Sequence, residues 1–579
     1  MEAFKIGINM AGAISAGAYT AGVLDFLTEA LEEWYKAKAR GDSVPLHDAS
    51  IEVLAGASAG GMCAAISALM LQEDFEHIRD TSKTGTTNRL YESWVNKIDI
   101  CELLKTDDLT TNSPVISLLD SSIITQIASY ALTPTKLPSE PRPYVSPHLT
   151  LFLSLTNLRG IPYSLNGAAP GSVEETTLFF GDRMRFEILS GTAPRSPAYT
   201  LDPSSPGAAG GWDILQTAAM ATGAFPVFLA PRILERKLRE YSPPMWESVI
   251  SEATGTPPPI PPNFPADLKD PMRTLNVDGG LTNNDPFNYA HDYLNSLHPF
   301  SANARDSALN ADRAVINIAP FPTTDKFDSG FVAEEQSGVL SALPRLFSSL
   351  VSQSRFFGES LDRIMNGTTF NRFVVAPSDP ELLAKGASEK TPALQCAALG
   401  AFGGFFERKF RAHDYVLGRR NCQKFLSDYF VLPQDNIVMK QALDSMEPGA
   451  RAAVINKFKR PPPGTYAKPE AILARMGESL PDVQKTASEI WLSIIPLCSE
   501  IVSRPIEPVE RAQMSGAALK NVVSLILKRF GALVPIFLQQ IPVAPLRVFL
   551  RAGQPFIRAM ARRPLTDALI KELGDSYRP

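Results

Sequence analysis

Ile51-Glu52-Val53-Leu54-Ala55-Gly56-Ala57-Ser58-Ala59-Gly60-Gly61-Met62-Cys63-Ala64-Ala65-Ile66 is the stretch from which the fold can be read. The apolar, β-branched run Ile51–Ala55 ends in Gly56-Ala57-Ser58-Ala59-Gly60, and a helix-forming stretch, Ala59–Leu71, begins at once. A strand that turns this abruptly into a helix brings two backbones close together, so only small residues fit around the turn. The residue at its apex is forced into a strained conformation. Only glycines and alanines flank Ser58 here. Gly-x-Ser-x-Gly between strand and helix makes Ser58 a candidate nucleophile, with Gly56 and Gly60 permitting the turn.

Outward from this point the same alternation continues. Short apolar runs at Lys5–Asn9, Leu149–Leu155, Leu275–Val277 and Arg313–Ile318 are strand candidates, and the amphipathic stretch Ala16–Ala37 is long enough for a crossover helix. Strands alternating with helices predict an α/β domain with a mostly parallel sheet over residues 1–320. Two Pro-rich stretches, 133–147 with five prolines and 242–271 with nine, break the pattern and are expected to be surface loops or insertions. After about residue 321 strand signals fade, and residues 321–579 are expected to form a mainly helical second region.

A nucleophilic serine needs donors for the oxyanion and a base for its proton. Residues 9–22, Asn-Met-Ala-Gly-Ala-Ile-Ser-Ala-Gly-Ala-Tyr-Thr-Ala-Gly, form a small-residue loop between the first strand and the first helix, whose N-terminus favours negative charge. Gly12, Gly17 and Gly22 are spaced by five, which does not fit the Gly-x-Gly-x-x-Gly of a dinucleotide site, so no cofactor is expected there. Of the six histidines, His291, His298 and His413 follow a plausible acid, but none sits in a small-residue turn at a strand end. Asp278 does, in Leu275-Asn276-Val277-Asp278-Gly279-Gly280-Leu281-Thr282-Asn283-Asn284-Asp285. Gly279 and Gly280 would let this turn approach a neighbouring loop, and the Asn pair would hold it by side-chain hydrogen bonds.

Composition narrows the function classes. The 579 residues carry 56 basic against 61 acidic side chains, a net charge of −5, which argues against a nucleic-acid binder with a broad basic surface. Five dispersed cysteines, Cys63, Cys101, Cys396, Cys422 and Cys498, make no zinc or disulfide pattern and point to a reduced, cytoplasmic setting. No secretory signal and no uncharged apolar run of membrane-spanning length is expected. From Arg511 to Arg563 there are nine basic residues and no acidic one, among apolar runs such as Val522–Leu527. Such a segment either packs on an acidic domain or docks on an anionic membrane surface, giving a peripheral membrane protein.

The small-residue loop, Gly-x-Ser-x-Gly and Asp-Gly-Gly, in this order, resemble the patatin-like phospholipase family over residues 1–320. Gly17-Ala18-Tyr19-Thr20-Ala21-Gly22-Val23-Leu24 is similar to the first helix of bacterial members, and Ala221-Thr222-Gly223-Ala224-Phe225-Pro226 to the segment ahead of Asp-Gly-Gly. The resemblance implies a three-layer α/β/α sandwich and hydrolysis of phospholipid or other lipid esters by a Ser-Asp dyad without histidine, metal or cofactor. It assigns Ser58 as nucleophile, Asp278 as base and the Gly12-Ala13-Ile14 backbone as oxyanion hole. The loop departs from the family's Gly-Gly-Gly-x-Arg-Gly or Gly-Gly-Gly-x-Lys-Gly pattern. With Gly17 aligned on the last glycine, Ala13 and Ile14 replace glycines and Ala16 replaces the basic residue. The hole then persists provided Ala13 and Ile14 need no positive φ. Two alternatives stay open: a Ser-Asp-His esterase using His291 or His413, and a catalytically weak lipid-binding scaffold. Phe410–Cys422, dense in polar and aromatic residues, is expected to dock the helical region through Arg and Asp pairs.

Overall fold

The computed structural model describes residues 3–110, 114–135, 140–165, 175–189, 198–242, 246, 261–297, 308–322, 372–384, 391–460, 490–539, 565–567, 569–570 and 573. Most of the Pro-rich stretch 242–271, with His298 and the basic residues Arg547, Arg551, Arg558, Arg562 and Arg563, lies outside them.

Each strand read from the sequence is found. β1 (Phe4–Met10) lies between β2 (Ala49–Gly56) and β8 (Arg313–Ile318), parallel to both. Beyond β2 the parallel run continues to β3 (Val145–Leu165), and beyond β8 to β9 (Arg372–Val375). The other half of the nine-stranded sheet departs from parallel order. β4 (Glu175–Ile188) and β7 (Met272–Asp278) pair antiparallel to β3, β6 (Arg232–Arg236) antiparallel to β7, and β5 (Tyr199–Leu201) parallel to β4. β9 comes from beyond residue 320, where the strand signals fade. Its four residues are too few to stand out as a period-two pattern. Pro147 sits near the start of β3, a position where a missing N–H is tolerated.

Side chains alternate across this sheet into two layers of helix. Phe4, Ile6, Ile8 and Met10 of β1 face a core shared with α1 (Gly17–Ala39), α2 (Ala59–Met70) and α4 (Trp212–Thr222), while α3 (Ser122–Ala131) packs on α4. Val53, Ala55 and Val315 face the opposite layer, Phe287, Ala290 and Leu294 of α5 (Phe287–Leu297). In β2 the strict alternation breaks once: Ile6 pairs with Ile51 and Gly7 with Val53, so Glu52 is an extra, bulged residue. That bulge puts Ile51 and Leu54 on one face and Val53 on the other.

The C-terminal region is joined to this core. α6 (Arg408–Asp428) lies against α1, and their backbones touch through glycine: a Cβ on Gly22 would stand 1.9 Å from the Tyr415 carbonyl oxygen, and one on Gly418 2.2 Å from that of Tyr19. The expected Arg and Asp pairing is present, since the Arg419 guanidinium bonds both Asp25 and Glu29 of α1. A small antiparallel sheet of β10 (Val431–Pro433), β11 (Lys459–Arg460) and β12 (Trp491–Ser493) follows. α7 (Gly516–Gln539) is long and apolar enough over Gly516–Leu538 to cross a membrane, with mean hydropathy 1.6. Lys520, Lys528 and Arg529 interrupt it, so it escapes a search for an uncharged run. Two basic groups near or on this helix turn inward. Arg529 is buried against Asp108 and the carbonyls of Lys105 and Leu118, and Arg511 donates to the carbonyls of Pro392 and Ala393. Lys520 and Lys528 remain exposed.

Candidate active site

Ser58 stands between β2 and α2 at φ 54° and ψ −130°, a left-handed conformation that a serine adopts only under constraint. The constraint is the closeness of the turn to the first strand: a Cβ on Gly60 would lie 2.1 Å from the Met10 carbonyl oxygen. The Ser58 backbone N–H donates to Thr222 Oγ1 at 3.1 Å, and that hydroxyl donates to the Ser154 carbonyl at 2.6 Å. Thus the elbow is tied to β3 through α4.

Asp278, the last residue of β7, meets Ser58 across 220 positions of sequence, its Oδ2 accepting the Ser58 hydroxyl at 2.6 Å. Its other oxygen accepts the Gly280 N–H at 2.7 Å, and its backbone is pinned by Thr156 Oγ1, which donates to the Asp278 carbonyl at 2.8 Å. Burial raises the Asp278 pKa from 3.8 to about 6, a rise held back by the hydrogen bonds from Ser58 and Gly280. Such a carboxylate is a far better proton acceptor near neutrality than an exposed one. Gly279 lies against Ser154, whose carbonyl oxygen a Cβ would approach to 2.0 Å. The Asn pair serves this turn through its backbone: the Asn283 carbonyl accepts Ser154 Oγ and the Asn284 carbonyl accepts the Gly12 N–H at 3.0 Å.

That last bond bears on the oxyanion loop. Of the three amides expected to receive an anion, the one on Gly12 is already donated. Among the described residues nothing accepts the N–H of Ala13 or Ile14. Ala13 has φ −148°, so it meets the condition that no positive φ be needed, whereas Ile14 has φ 48° and does not. The condition is too strict, because a positive φ costs strain at Ile14 without removing its N–H donor.

Ser58 and Asp278 open onto a cavity with about 910 Å³ of space between atoms, part of it open to solvent. Its wall is apolar, built from Met62 and Ile66 of α2, Ile124 and Ile127 of α3, and Phe225 and Phe228. Phe402 and Phe405 of the C-terminal region complete it, with Phe402 packed on both Phe225 and Phe228 at ring separations of 5.8 and 5.5 Å. Among the described lining residues Asp278 is the one ionisable group.

The described histidines lie elsewhere. His291 stacks on Phe287 and bonds Asp292, His413 bonds Asp414, and no imidazole among the described residues contacts Ser58 or Asp278. Thr222, Phe402 and Phe405 have no place in the sequence reading of the site, nor does the bond from the Gly12 N–H to the Asn284 carbonyl. Thr222 lies in the small-residue segment ahead of Asp-Gly-Gly, but no local pattern marks a threonine as a bridge between two distant backbones.

Two comparisons bear on this geometry. The profile of the patatin-like phospholipase family matches residues 9–291, which takes in the loop, the elbow and Asp-Gly-Gly. Over 519 residues the chain is 36% identical to "Uncharacterized protein y4iI" of Sinorhizobium fredii, an alignment covering 83% of this chain and 72% of that protein. With a mostly parallel sheet between helical layers, and with the family's profile spanning the site, the chain belongs to the patatin-like phospholipase family.

Proposed function

We propose that this chain is a lipid acyl-ester hydrolase working through a Ser58–Asp278 dyad. The observation that carries the reading is the 2.6 Å hydrogen bond from Ser58 Oγ to a buried carboxylate at the wall of an apolar cavity. Asp278 takes the Ser58 proton as the hydroxyl adds to the ester carbonyl, and the N–H groups of Ala13 and Ile14 receive the oxyanion. The same carboxyl then protonates the departing alcohol. Water hydrolyses the acyl-enzyme by the reverse transfer, returning the proton to Ser58. A cavity wall of aliphatic and aromatic side chains, with no cation among its described lining residues, suits a fatty acyl chain and leaves the headgroup outside.

Fatty acid release from phospholipid vesicles and from short-chain nitrophenyl esters tests the assignment, with Ser58→Ala and Asp278→Asn as controls. Loss of turnover in both variants, with His291→Ala and His413→Ala still active, supports the dyad. Hydrolysis untouched by Ser58→Ala sinks it, and vesicle binding without turnover or fluorophosphonate labelling of Ser58 favours a scaffold instead. The outer side of α7, with Lys520, Lys528, Phe530 and Phe537 exposed, is proposed to meet anionic lipid, so vesicle binding should weaken with salt.

A further inference from the structure

Ile14 is a β-branched residue in the left-handed region, a strained conformation that persists only where the surroundings hold it. The residue next along the chain is tied down on both sides of its hydroxyl. Ser15 is fully buried, and its hydroxyl donates to the Ala401 carbonyl at 2.5 Å while accepting the Gly404 N–H at 3.0 Å. Both partners belong to a segment 386 or more residues away. That segment is itself shaped for the contact: Leu399, Gly400 and Ala401 are all left-handed, at φ 53°, 63° and 75°. Gly404 leaves no room for a side chain, since a Cβ there would stand 2.5 Å from Cys396 Sγ and 2.7 Å from Ser15 Oγ.

The segment is also anchored from behind. Asp414 of α6 accepts the N–H groups of Gln395 and Cys396, each at 2.8 Å. Arg411 donates to the Gly404 carbonyl at 2.6 Å and to the Val95 carbonyl at 3.0 Å. Phe402 and Phe405, on either side of Gly404, enter the cavity wall beside Ile14.

We propose that Ser15 is a positioning residue: bonded to Ala401 and Gly404, it locks Ile14 left-handed and so keeps the Ala13 and Ile14 amides turned to the oxyanion. The C-terminal region thereby completes the catalytic loop as well as the cavity. This rests on the hydrolase reading above and deepens it. A tetrahedral oxyanion exists only in the reaction's intermediate and the transition states around it, so a loosened loop lowers kcat and leaves ester binding in the apolar cavity nearly unchanged.

Full-length wild type, Ser58→Ala, Ser15→Ala and Ser15→Ala with Ile14→Gly are compared on one nitrophenyl ester, with thermal melting alongside. Ser15→Ala is expected to lower kcat by roughly 10- to 100-fold with KM within about threefold of wild type. Glycine enters the left-handed region freely, so adding Ile14→Gly restores most of the lost kcat, a rescue that general damage to packing would not produce. Unchanged kcat in Ser15→Ala, or a double variant as slow as the single one, overturns the proposal. Should Ser15→Ala fail to fold, Ser15→Cys, close in volume and a weaker donor, is read by the same criteria. Wild type as inert as Ser58→Ala overturns the hydrolase reading and this inference with it, whereas an active wild type matched by Ser15→Ala overturns the inference alone.

Discussion

The hydroxyl of Thr222 accepts the backbone N–H of Ser58 at 3.1 Å, joining two residues 164 positions apart. Because the same hydroxyl donates to the Ser154 carbonyl at 2.6 Å, it satisfies two buried backbone groups at once and fixes the elbow against β3. Thr222→Val keeps the shape and removes both bonds, leaving a donor and an acceptor unpaired. A loss of about 1–3 kcal/mol in denaturant unfolding, with slower ester hydrolysis, is expected. Stability and turnover equal to wild type would show that the bridge contributes nothing.

Under the proposed dyad, Asp278 would couple activity to pH: as the base it must be ionised, so hydrolysis should rise through a midpoint near pH 6 and level off above it. Stability runs the other way. Between pH 4 and 6 the folded chain keeps a proton that the unfolded chain has released, so the contribution of Asp278 falls as pH rises through that window. Asp278→Asn should therefore abolish hydrolysis yet be more stable than wild type at pH 8, by at most about 3 kcal/mol, with the difference closing below pH 4. Melting curves at the two pH values check the sign.

His77 supplies an alkaline counterpart. Burial alone would lower its pKa, but Nδ1 lies 2.8 Å from Asp25 and Nε2 3.4 Å from Glu32, and these carboxylates hold it up to about 9. A raised pKa means stability fully present below about pH 6.5 and lost as pH climbs through about 9. Wild type should lose on the order of 3 kcal/mol across that window, and His77→Gln, less stable at pH 6, should show a flatter profile. Equal slopes for the two proteins would remove His77 as the source.

Gly22 tests the docking of α6 on α1. Alanine there would drive a methyl group to 1.9 Å from the Tyr415 carbonyl oxygen, which neither helix backbone can avoid without separating. Gly22→Ala should destabilise by about 1–3 kcal/mol or more and lower hydrolysis, because Phe402 and Phe405 are carried by the chain that leads into α6. Gly449 is the control, since it is helical and a methyl group added there would meet nothing within 4 Å: Gly449→Ala should be neutral or slightly stabilising.

Much of the fold was legible because it rests on local chemistry. Arg313–Ile318 announces its strand by the apolar, β-branched-rich run Ala314-Val315-Ile316 with Ile318 beyond it, and Ala59–Met70 its helix by small and aliphatic residues after a turn. Glu52 illustrates the limit: one charged residue inside an apolar run does not tell a bulge from ordinary alternation, and only pairing with β1 and β3 reveals it. Asp278 stood out by its place in a glycine turn at a strand end. Its distance from Ser58 did not, since nothing local encodes the approach of two strand ends.

The sequence by itself determined the strand-to-helix elbow at Ser58, the candidate acid at Asp278 and the alternation that builds the sheet, because residue size and period act over a few neighbouring positions. Tertiary structure alone decided that the Gly12 amide is taken by Asn284, that Ile14 stands left-handed beside Ser15, and that Phe402 and Phe405 close the cavity. Those features depend on chain segments hundreds of residues apart meeting at fixed distances, and such closeness is a property of the packed whole, absent from any short stretch of it.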